Sequence, residues 1–509
     1  MMAALRLSTS WRLAGLLDGI VDVPDALDSP VAGLCADSRV LKPGQIFFAR
    51  RGATTDGARY LDDAVRAGAV ALVREGEAGC ELRPDGVVEV RVADIVASIG
   101  VLADRFFDHP SRALKVIGVT GTNGKTSVAH FVAQALSTDG APACGVLGTL
   151  GHGLHGALRP SKLTTPDAIA VHGQLAELRA AGASHAIMEV SSHALDQGRV
   201  ASVEFDAAVF TNLTRDHLDY HTSMQAYGDA KGKLFECSGL RYAVINADDA
   251  FGAQLLGKHR AGVRSIAYGV DAEGEASSAE RHSEWLRGRI DDPGDGAIGL
   301  SVRGSFGEGR LQTGLVGRFN AYNLLASLAV LLCMDWPLAA ALQHLAAVEA
   351  PSGRMQRFGG VGGEPLVVVD YSHTPDSLAR ALDTLREQCK GTLWCVFGAG
   401  GDRDRGKRPM MGAAAAAHAD AIVLTDDNPR AEDGDRIVDD IRPGIPEGFR
   451  VLAERDRAAA IALALADAGP ADVVLVAGKG HENYQESQGT RRPFSDAAAV
   501  RAALKARRT

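Results

Sequence analysis

The sequence predicts an α/β protein of three domains: a small N-terminal α/β domain, a central domain whose parallel sheet carries a phosphate loop, and a C-terminal Rossmann-like domain. Three observations predict it. The chain has 509 residues, too many for one ordinary hydrophobic core. The apolar run Val116-Ile117-Gly118-Val119-Thr120 passes directly into Gly121-Thr122-Asn123-Gly124-Lys125-Thr126, a strand feeding a glycine-rich turn. Two series of near-continuous apolar runs, one on each side of Pro351-Ser352-Gly353-Arg354, alternate with helical periodicity, as strands buried on both faces do. The boundaries fall at 1–111, 112–350 and 351–509.

Composition narrows the function. Apolar residues make up 46% and charged residues 23%, a globular balance. With 54 Lys and Arg against 63 Asp and Glu the net charge is −9, so no general basic field attracts nucleic acid or an anionic membrane. An anionic ligand must be caught by a local site. The seven cysteines, Cys35, Cys80, Cys144, Cys237, Cys333, Cys389 and Cys395, form no C-x-x-C pair and suit reduced thiols in a cytoplasmic protein. Residues 1–20 carry Arg6, Arg12 and Asp18 and lack the apolar core of a signal peptide. The most apolar helix candidate, 324–334, falls short of the roughly 20 residues a bilayer requires. A soluble chain without a membrane span is expected.

In the first 110 residues, turn signals at Lys42-Pro43-Gly44 and Arg50-Arg51-Gly52 bracket apolar segments 45–49 and 69–73. Ala36-Asp37-Ser38-Arg39 and Gly52-Ala53-Thr54-Thr55-Asp56-Gly57 read as polar loops. Asp108-His109-Pro110-Ser111 reads as a linker.

The central domain opens on the phosphate loop. Gly121 and Gly124 let the backbone curl so that the N–H groups of residues 121–127, through Ser127, face a phosphate; Lys125 adds positive charge and Thr126 a magnesium ligand. Position 119 is valine where the strict pattern wants glycine. Val128, Phe131, Val132, Ala135 and Leu136 share one face of the helix that follows. ATP or GTP is the expected ligand. Later runs close in polar residues at 186–193, 207–212 and 242–249, and ligands of such sheets sit at the carboxyl ends of strands. Glu189 and His217 with Thr126 therefore make a shell for Mg²⁺, which prefers oxygen donors. Lys231 reads as an ordinary solvated helix lysine. Residues 251–314, charged and glycine-rich, suggest an antiparallel excursion or variable loops. Asn320 or Asn323, just before the apolar helix from 324, either caps that helix or meets nucleotide.

In the last third, apolar runs at 366–371, 393–397, 421–425 and 473–477 end in loops bearing Arg403, Arg430, Gly478 and Glu482. The two arginines suit bidentate capture of carboxylate, and Glu482 suits an ammonium, so an amino acid fits. Asp427-Asn428-Pro429 is also a good turn.

Taken together, Gly121-Thr122-Asn123-Gly124-Lys125-Thr126, Met188-Glu189-Val190-Ser191-Ser192-His193, Asn212-Leu213-Thr214-Arg215-Asp216-His217, Asp370-Tyr371-Ser372-His373-Thr374-Pro375 and Asp427-Asn428-Pro429-Arg430 resemble the motifs of the Mur ligase family, in order and over nearly the whole chain. The resemblance implies domains for a uridine nucleotide, for ATP and for an incoming amino acid, in a bacterial cytoplasmic monomer of peptidoglycan precursor synthesis. It implies that Ser38, Ala53, Thr54 and Thr55 meet the UDP moiety, and that Thr164, Thr165, Ser191, Gln197 and Arg199 hold the rest of UDP-N-acetylmuramoyl-L-alanyl-D-glutamate. Leu163 stands where close relatives carry asparagine. Asn320, Arg354 and Asp370 would contact the adenine nucleotide. Lys231 matches a lysine carbamylated by CO₂, which would join Thr126, Glu189 and His217 around Mg²⁺. The implied catalytic set is Lys125, Glu189, His217 and Lys231. The reaction would pass through an acyl phosphate on the D-glutamyl carboxylate, which the amine of the amino acid then attacks. Arg403, Asp427, Asn428, Pro429, Arg430, Gly478 and Glu482 would surround that amino acid, and Arg430, absent from lysine-adding relatives, would select meso-diaminopimelate. A folylpolyglutamate synthetase would share the fold and the acyl phosphate but not the Asp427–Arg430 motif or a first domain of this length. A nucleotide-regulated binding protein would release phosphate with no amino acid present.

Overall fold

The computed structural model describes residues 11–52, 56–137, 143–218, 220–258, 260–271, 278–291 and 298–507. Ala53, Thr54 and Thr55 lie outside the described residues. The chain divides into two compact units, the first built from residues 1–268, 278–285 and 329–336, the second from 269–277, 286–328 and 337–509.

The first unit holds two sheets. The N-terminal sheet runs in the order Gly33–Cys35, Gln45–Ala49, Ala71–Glu75, Val88–Val92, Gly79–Leu82, with only the last pairing antiparallel. Its strands are short and β-branched or aromatic, and the helix Ile95–Phe106 buries Ile95, Ile99, Leu102, Ala103 and Phe106 on one face of it. Asp94 caps that helix by accepting from the Ala97 N–H. Two glycines allow this helix to lie close against residues 198–201. A Cβ on Gly100 would come within 2.5 Å of Ala201 Cβ, and one on Gly198 within 2.3 Å of Val96 Cγ1.

The second sheet of this unit runs Gly151–Leu154, Cys144–Gly148, His185–Glu189, Lys115–Thr120, Ala207–Phe210, Tyr242–Asn246, Arg264–Val270, and is parallel after the first hairpin. Its register pairs Glu189 with Val119 and Thr120 with Phe210, so the polar residues that follow these strands emerge on one edge. Val116, Met188, Phe205, Ala208 and Ile245 belong to one buried cluster beneath them.

One expectation is corrected here. Residues 251–270 are not an antiparallel excursion: Asp249 caps the helix Ala250–Gly257 through Phe251 and Gly252 N–H, and Arg264–Val270 is a parallel strand with Ile266, Ala267 and Tyr268 buried. The helix is too short for its period to stand out. The antiparallel expectation holds for Glu284–Asp291, Ile298–Gly304 and Gly307–Thr313, a meander in the second unit from Leu286 onward. The apolar helix begins earlier than 324, spanning Arg318–Cys333.

The second unit carries a sheet ordered Gln356–Gly359, Leu366–Asp370, Val473–Ala477, Leu393–Phe397, Ala421–Leu424, Val451–Ala453, parallel except for its first pair. Its two faces bury separate cores, one around Cys395, Leu475 and Leu382, the other around Trp394, Val474 and Ile461. Both faces are covered, which is why these strands read as unbroken apolar runs.

Candidate active site

In the first unit, the phosphate loop is fixed from behind by the segment after Ala207–Phe210. Thr122 N–H donates to Asn212 O at 2.8 Å, Asn123 N–H to Asn212 Oδ1 at 3.0 Å, and the Thr211 hydroxyl to Asn123 O at 2.6 Å. Gly121 sits at φ 146° and Gly124 at φ 88°, and a Cβ on Gly121 would fall 1.9 Å from Thr211 Oγ1, so neither the backbone nor the space admits a side chain. The helix Lys125–Leu136 starts at the loop, which directs its N-terminal N–H groups and its dipole toward an anion. Lys125 Nζ donates to the Gly121 and Thr122 carbonyls, each at 2.9 Å.

Glu189 ends its strand buried, beside that helix. It accepts from the Thr126 hydroxyl at 2.8 Å, and from Thr149 through both N–H (2.8 Å) and hydroxyl (3.1 Å). Two of the expected magnesium ligands are thus in direct contact. Both are oxygen donors, which fits Mg²⁺. Among the described residues no group of three or more His, Cys, Asp and Glu could hold a metal ion.

The reading of Lys231 as a solvated lysine is corrected. It lies on the helix Met224–Gly232 with 1% of its surface exposed, its Nζ donating to Gly121 O at 2.8 Å and standing 4.3 Å from the Tyr227 ring centre. Burial, and then the Lys125 charge, hold this amine well below the ordinary lysine range, against a weaker opposite pull from Asp216. Tyr227 also links the loop to His217: its hydroxyl is 3.2 Å from Thr122 Oγ1, and its ring centre 6.0 Å from that of His217. His217 has φ 53°, packs on His193 at 4.9 Å, and lies 3.4 Å from Asp216.

The residues expected around the first substrate are linked to one another. Thr164 Oγ1 lies 3.0 Å from Thr149 Oγ1; Thr165 donates to Glu189 O at 2.8 Å and accepts from Ser191 N–H at 3.1 Å. Arg199 donates to Gln197 Oε1 at 3.0 and 2.7 Å and to Thr165 O at 2.9 Å. Ser38 is half-buried in a turn closed by Asp37, which accepts from Arg39 N–H at 3.0 Å. Leu163 is exposed, and its carbonyl accepts from Ser161.

In the second unit, the loops after Leu393–Phe397, Ala421–Leu424 and Val473–Ala477 meet. Arg430, at φ 53°, donates from its side chain to Gly401 O at 2.7 Å; a Cβ on Gly400 would lie 3.0 Å from Arg430 Nη1 and 3.6 Å from Arg403 Cγ, which places both arginines against this glycine. Asn428 donates to Glu482 Oε2 at 2.7 Å, while Lys479, wholly buried, donates to Asn428 Oδ1 at 3.0 Å and Glu482 Oε2 at 2.9 Å. The ammonium partner expected for Glu482 is supplied in part by the protein itself. Gly478 has φ 115°, and a Cβ there would meet Asp427 Oδ2 at 2.5 Å. Pro429 is buried, and its carbonyl leaves no room for a side chain at Gly401.

The three expected adenine-nucleotide contacts have local roles too. Asn320 does not act as a capping acceptor: three positions into its helix, its amide donates to Val316 O at 2.8 Å and its oxygen accepts from Asn323 at 3.0 Å. Arg354 stacks 4.4 Å over the Tyr371 ring, and Asp370 accepts from Met355 N–H at 2.8 Å and Ser372 N–H at 2.9 Å.

Three family models match the chain: the Mur ligase family catalytic domain over residues 30–107, the Mur ligase middle domain over 119–331, and the Mur ligase glutamate ligase domain over 353–480. A relative from Ectopseudomonas mendocina named UDP-N-acetylmuramoyl-L-alanyl-D-glutamate--2,6-diaminopimelate ligase is 50% identical over 473 residues, covering 93% of this chain and 95% of its own. The chain belongs to the Mur ligase family. A Pseudomonas aeruginosa ligase of the same name is 48% identical, over 94% and 96% of the two chains. A solved structure of a ligase of that name is 34% identical with a TM-score of 0.70, covering 98% of this chain and 100% of the other. MurF from Thermotoga maritima in complex with ADP shares the fold, with a TM-score of 0.61 at 17% identity.

The structure joins to the expected residues several that sequence reasoning did not single out. Thr149 directly follows the strand Cys144–Gly148, so the rule that polar residues after parallel strands face the ligand would have found it. Lys479 stood between two glycines of a loop already under suspicion. Tyr227 gave no local signal, since only the fold brings it to Lys231; Arg50 follows a strand of the parallel N-terminal sheet, and the fold carries its guanidinium to the carbonyl of Gln197 at 2.9 Å.

Proposed function

We propose that this Mur ligase joins meso-diaminopimelate to UDP-N-acetylmuramoyl-L-alanyl-D-glutamate, with ATP converted to ADP and phosphate, as a monomer in the bacterial cytoplasm. We divide it functionally into a UDP-binding region at 1–111, an ATP-binding region at 112–350 and an amino-acid-binding region at 351–509. One observation carries the choice of amino acid: Arg403 and Arg430 flank Gly400 in the loop cluster that also holds Asp427, Asn428 and Glu482, a pairing of cationic forks with acids that suits a molecule with two carboxylates and two ammonium groups. Near full-length relatives that bear that activity in their names support it.

The substrate carboxylate oxygen attacks the γ-phosphorus of ATP; the bond from that phosphorus to the β-bridging oxygen breaks, leaving ADP and an acyl phosphate. The amine then adds to the acyl carbon, and the tetrahedral intermediate expels phosphate and loses the amine proton. The chain's own groups carry the electrostatics: the N–H groups of residues 121–127 and Lys125 bind phosphate oxygens, and Asn320, Arg354 and Asp370 are assigned to the adenine nucleotide. Ser38, Ala53, Thr54, Thr55, Thr164, Thr165, Ser191, Gln197 and Arg199 orient the first substrate. Thr126, Glu189, His217 and a carbamate on Lys231 would hold Mg²⁺, which supplies charge neutralisation at the transferring group. The observed contact of Thr126 with Glu189 fits that role, and burial of Lys231 beside Lys125 fits carbamylation, because only a neutral amine attacks CO₂.

The test mixes protein, Mg-ATP and UDP-N-acetylmuramoyl-L-alanyl-D-glutamate, and follows phosphate release and product mass with meso-diaminopimelate or L-lysine. A tripeptide product formed only with diaminopimelate is expected. Equal use of lysine would remove the specificity, and phosphate release without any amide would remove the ligation.

A further inference from the structure

We propose that Arg50 is a substrate-binding residue which, with Arg199, forms a two-guanidinium anchor for anionic groups of the nucleotide-linked substrate; this role presupposes the ligation reading above. Arg50 directly follows the strand Gln45–Ala49, at the carboxyl end of the parallel N-terminal sheet, where ligands of such sheets bind. Its side chain crosses from that sheet to the segment holding Gln197 and donates to the Gln197 main-chain carbonyl at 2.9 Å. The side-chain oxygen of the same Gln197 takes two bonds from Arg199, at 3.0 and 2.7 Å. Two half-buried guanidinium groups therefore converge on one residue.

Every hydrogen-bond acceptor found for them among the described residues is neutral: the two Gln197 oxygens and the Thr165 carbonyl. The carboxylate whose charge bears on Arg199 is Asp167, whose side chain also caps the helix Ala168–Ala180 through the Ala170 N–H. The Arg199 guanidinium is held below its ordinary value, first by burial and then by the Arg50 charge. Like charges placed together and partly dry oppose folding, Asp167 offsets this only in part, and an anion between them would relieve the cost. The planar donor forks of arginine match phosphate and carboxylate alike. A tie whose only purpose was to join two segments would need the donor to Gln197 and no charge. That difference can be measured.

Three variants separate charge from donor: Arg50→Gln keeps a donor for the carbonyl, Arg50→Lys keeps the charge, and Arg50→Ala keeps neither. In the ligation assay, Arg50→Ala and Arg50→Gln should raise the KM for UDP-N-acetylmuramoyl-L-alanyl-D-glutamate about 10- to 100-fold with kcat held within about twofold, while Arg50→Lys retains most of the binding. The salt dependence of KM should fall in the uncharged variants. UDP as a competitive inhibitor distinguishes the anion. If its Ki rises in parallel, Arg50 meets the diphosphate; if Ki is unchanged while KM rises, it meets a carboxylate of the peptide. A wild-type KM in Arg50→Gln would overturn the assignment even though the wild-type enzyme ligates. If the wild-type protein makes no amide, the ligation reading fails by itself, and calorimetric binding of UDP-N-acetylmuramoyl-L-alanyl-D-glutamate to Arg50→Gln still tests whether this arginine holds an anion.

Discussion

Lys231 shows how a single side chain can be misjudged from its neighbours in sequence. Glycines and a second lysine flank it, yet the helix Met224–Gly232 turns it inward, to a carbonyl it shares with Lys125. Two amines on one acceptor favour one being neutral, and the buried one is the better candidate. Lys231→Ala should therefore lose at least about a hundredfold in kcat, and added bicarbonate, which should stimulate CO₂-depleted wild-type enzyme, should have no effect on the variant. A carbamate carbon resonance after labelling with ¹³C-bicarbonate, absent from Lys231→Ala, checks the chemistry directly. Glu189→Gln should keep the contact with Thr126 and lose the charge, so a fall in kcat larger than any rise in the KM for ATP is expected from steady-state rates. What was legible at this scale was the phosphate loop and Glu189, because strand, turn and helix lie together in sequence. Thr149 was open to the rule for polar residues after parallel strands, whereas Tyr227 and the burial of Lys231 became legible only once the fold brought distant strands and helices together.

At the scale of elements, the amino-acid loops of the second unit depend on a buried charge network. Arg408, on the helix Lys407–His418 and wholly buried, donates to both oxygens of Glu432 (2.9 and 3.1 Å), to Asp440 at 2.7 Å and to Gly400 O at 3.2 Å. Glu432 also accepts from Asp402 N–H and Arg405, so one carboxylate ties the loop bearing Arg403 to the loop bearing Arg430. These bonds bring the Glu432 carboxyl down to about 2. Its folded value lies below its unfolded value, so its stabilisation is complete above pH about 4.5 and is lost as pH falls from there toward 2. Glu432→Gln should lower stability by about 3 kcal/mol at neutral pH and flatten the acid limb of a urea-unfolding series over that window. It should also raise the diaminopimelate KM by loosening the two loops. Arg430→Ala should raise that KM about a hundredfold or more with a much smaller effect on the KM for ATP, and an unchanged diaminopimelate KM would remove Arg430 from the site. Strands of this unit were legible as apolar runs covered on both faces. The helix Ala250–Gly257 and the strand Arg264–Val270 were not, since a two-turn helix leaves too few repeats for its period to show.

For the molecule as a whole, the two sheets of the first unit meet at a closely packed, buried joint. His172 is fully buried there, bonded through Nε2 to Ala201 O at 2.9 Å, with Nδ1 3.7 Å from Asp104, whose other oxygen meets His109 at 2.6 Å. Burial lowers the His172 pKa, as it does for His152, His155, His185 and His221. Below pH about 6.5 the unfolded chain takes up protons that the folded one refuses, so thermal stability should be full above that pH and fall as the solution is acidified. His172→Gln should remove part of that slope in melts run at pH 7.5 and 5.5. The same joint explains why Gly100 and Gly198 face Ala201 and Val96 at distances no added methyl could share. Neighbouring stretches of chain that fit like this must vary in concert. A chimera taking residues 1–111 from a more distant Mur ligase should grow only when residues 198–201 come from the same parent, so this seam marks which segments are transmitted together when such enzymes recombine.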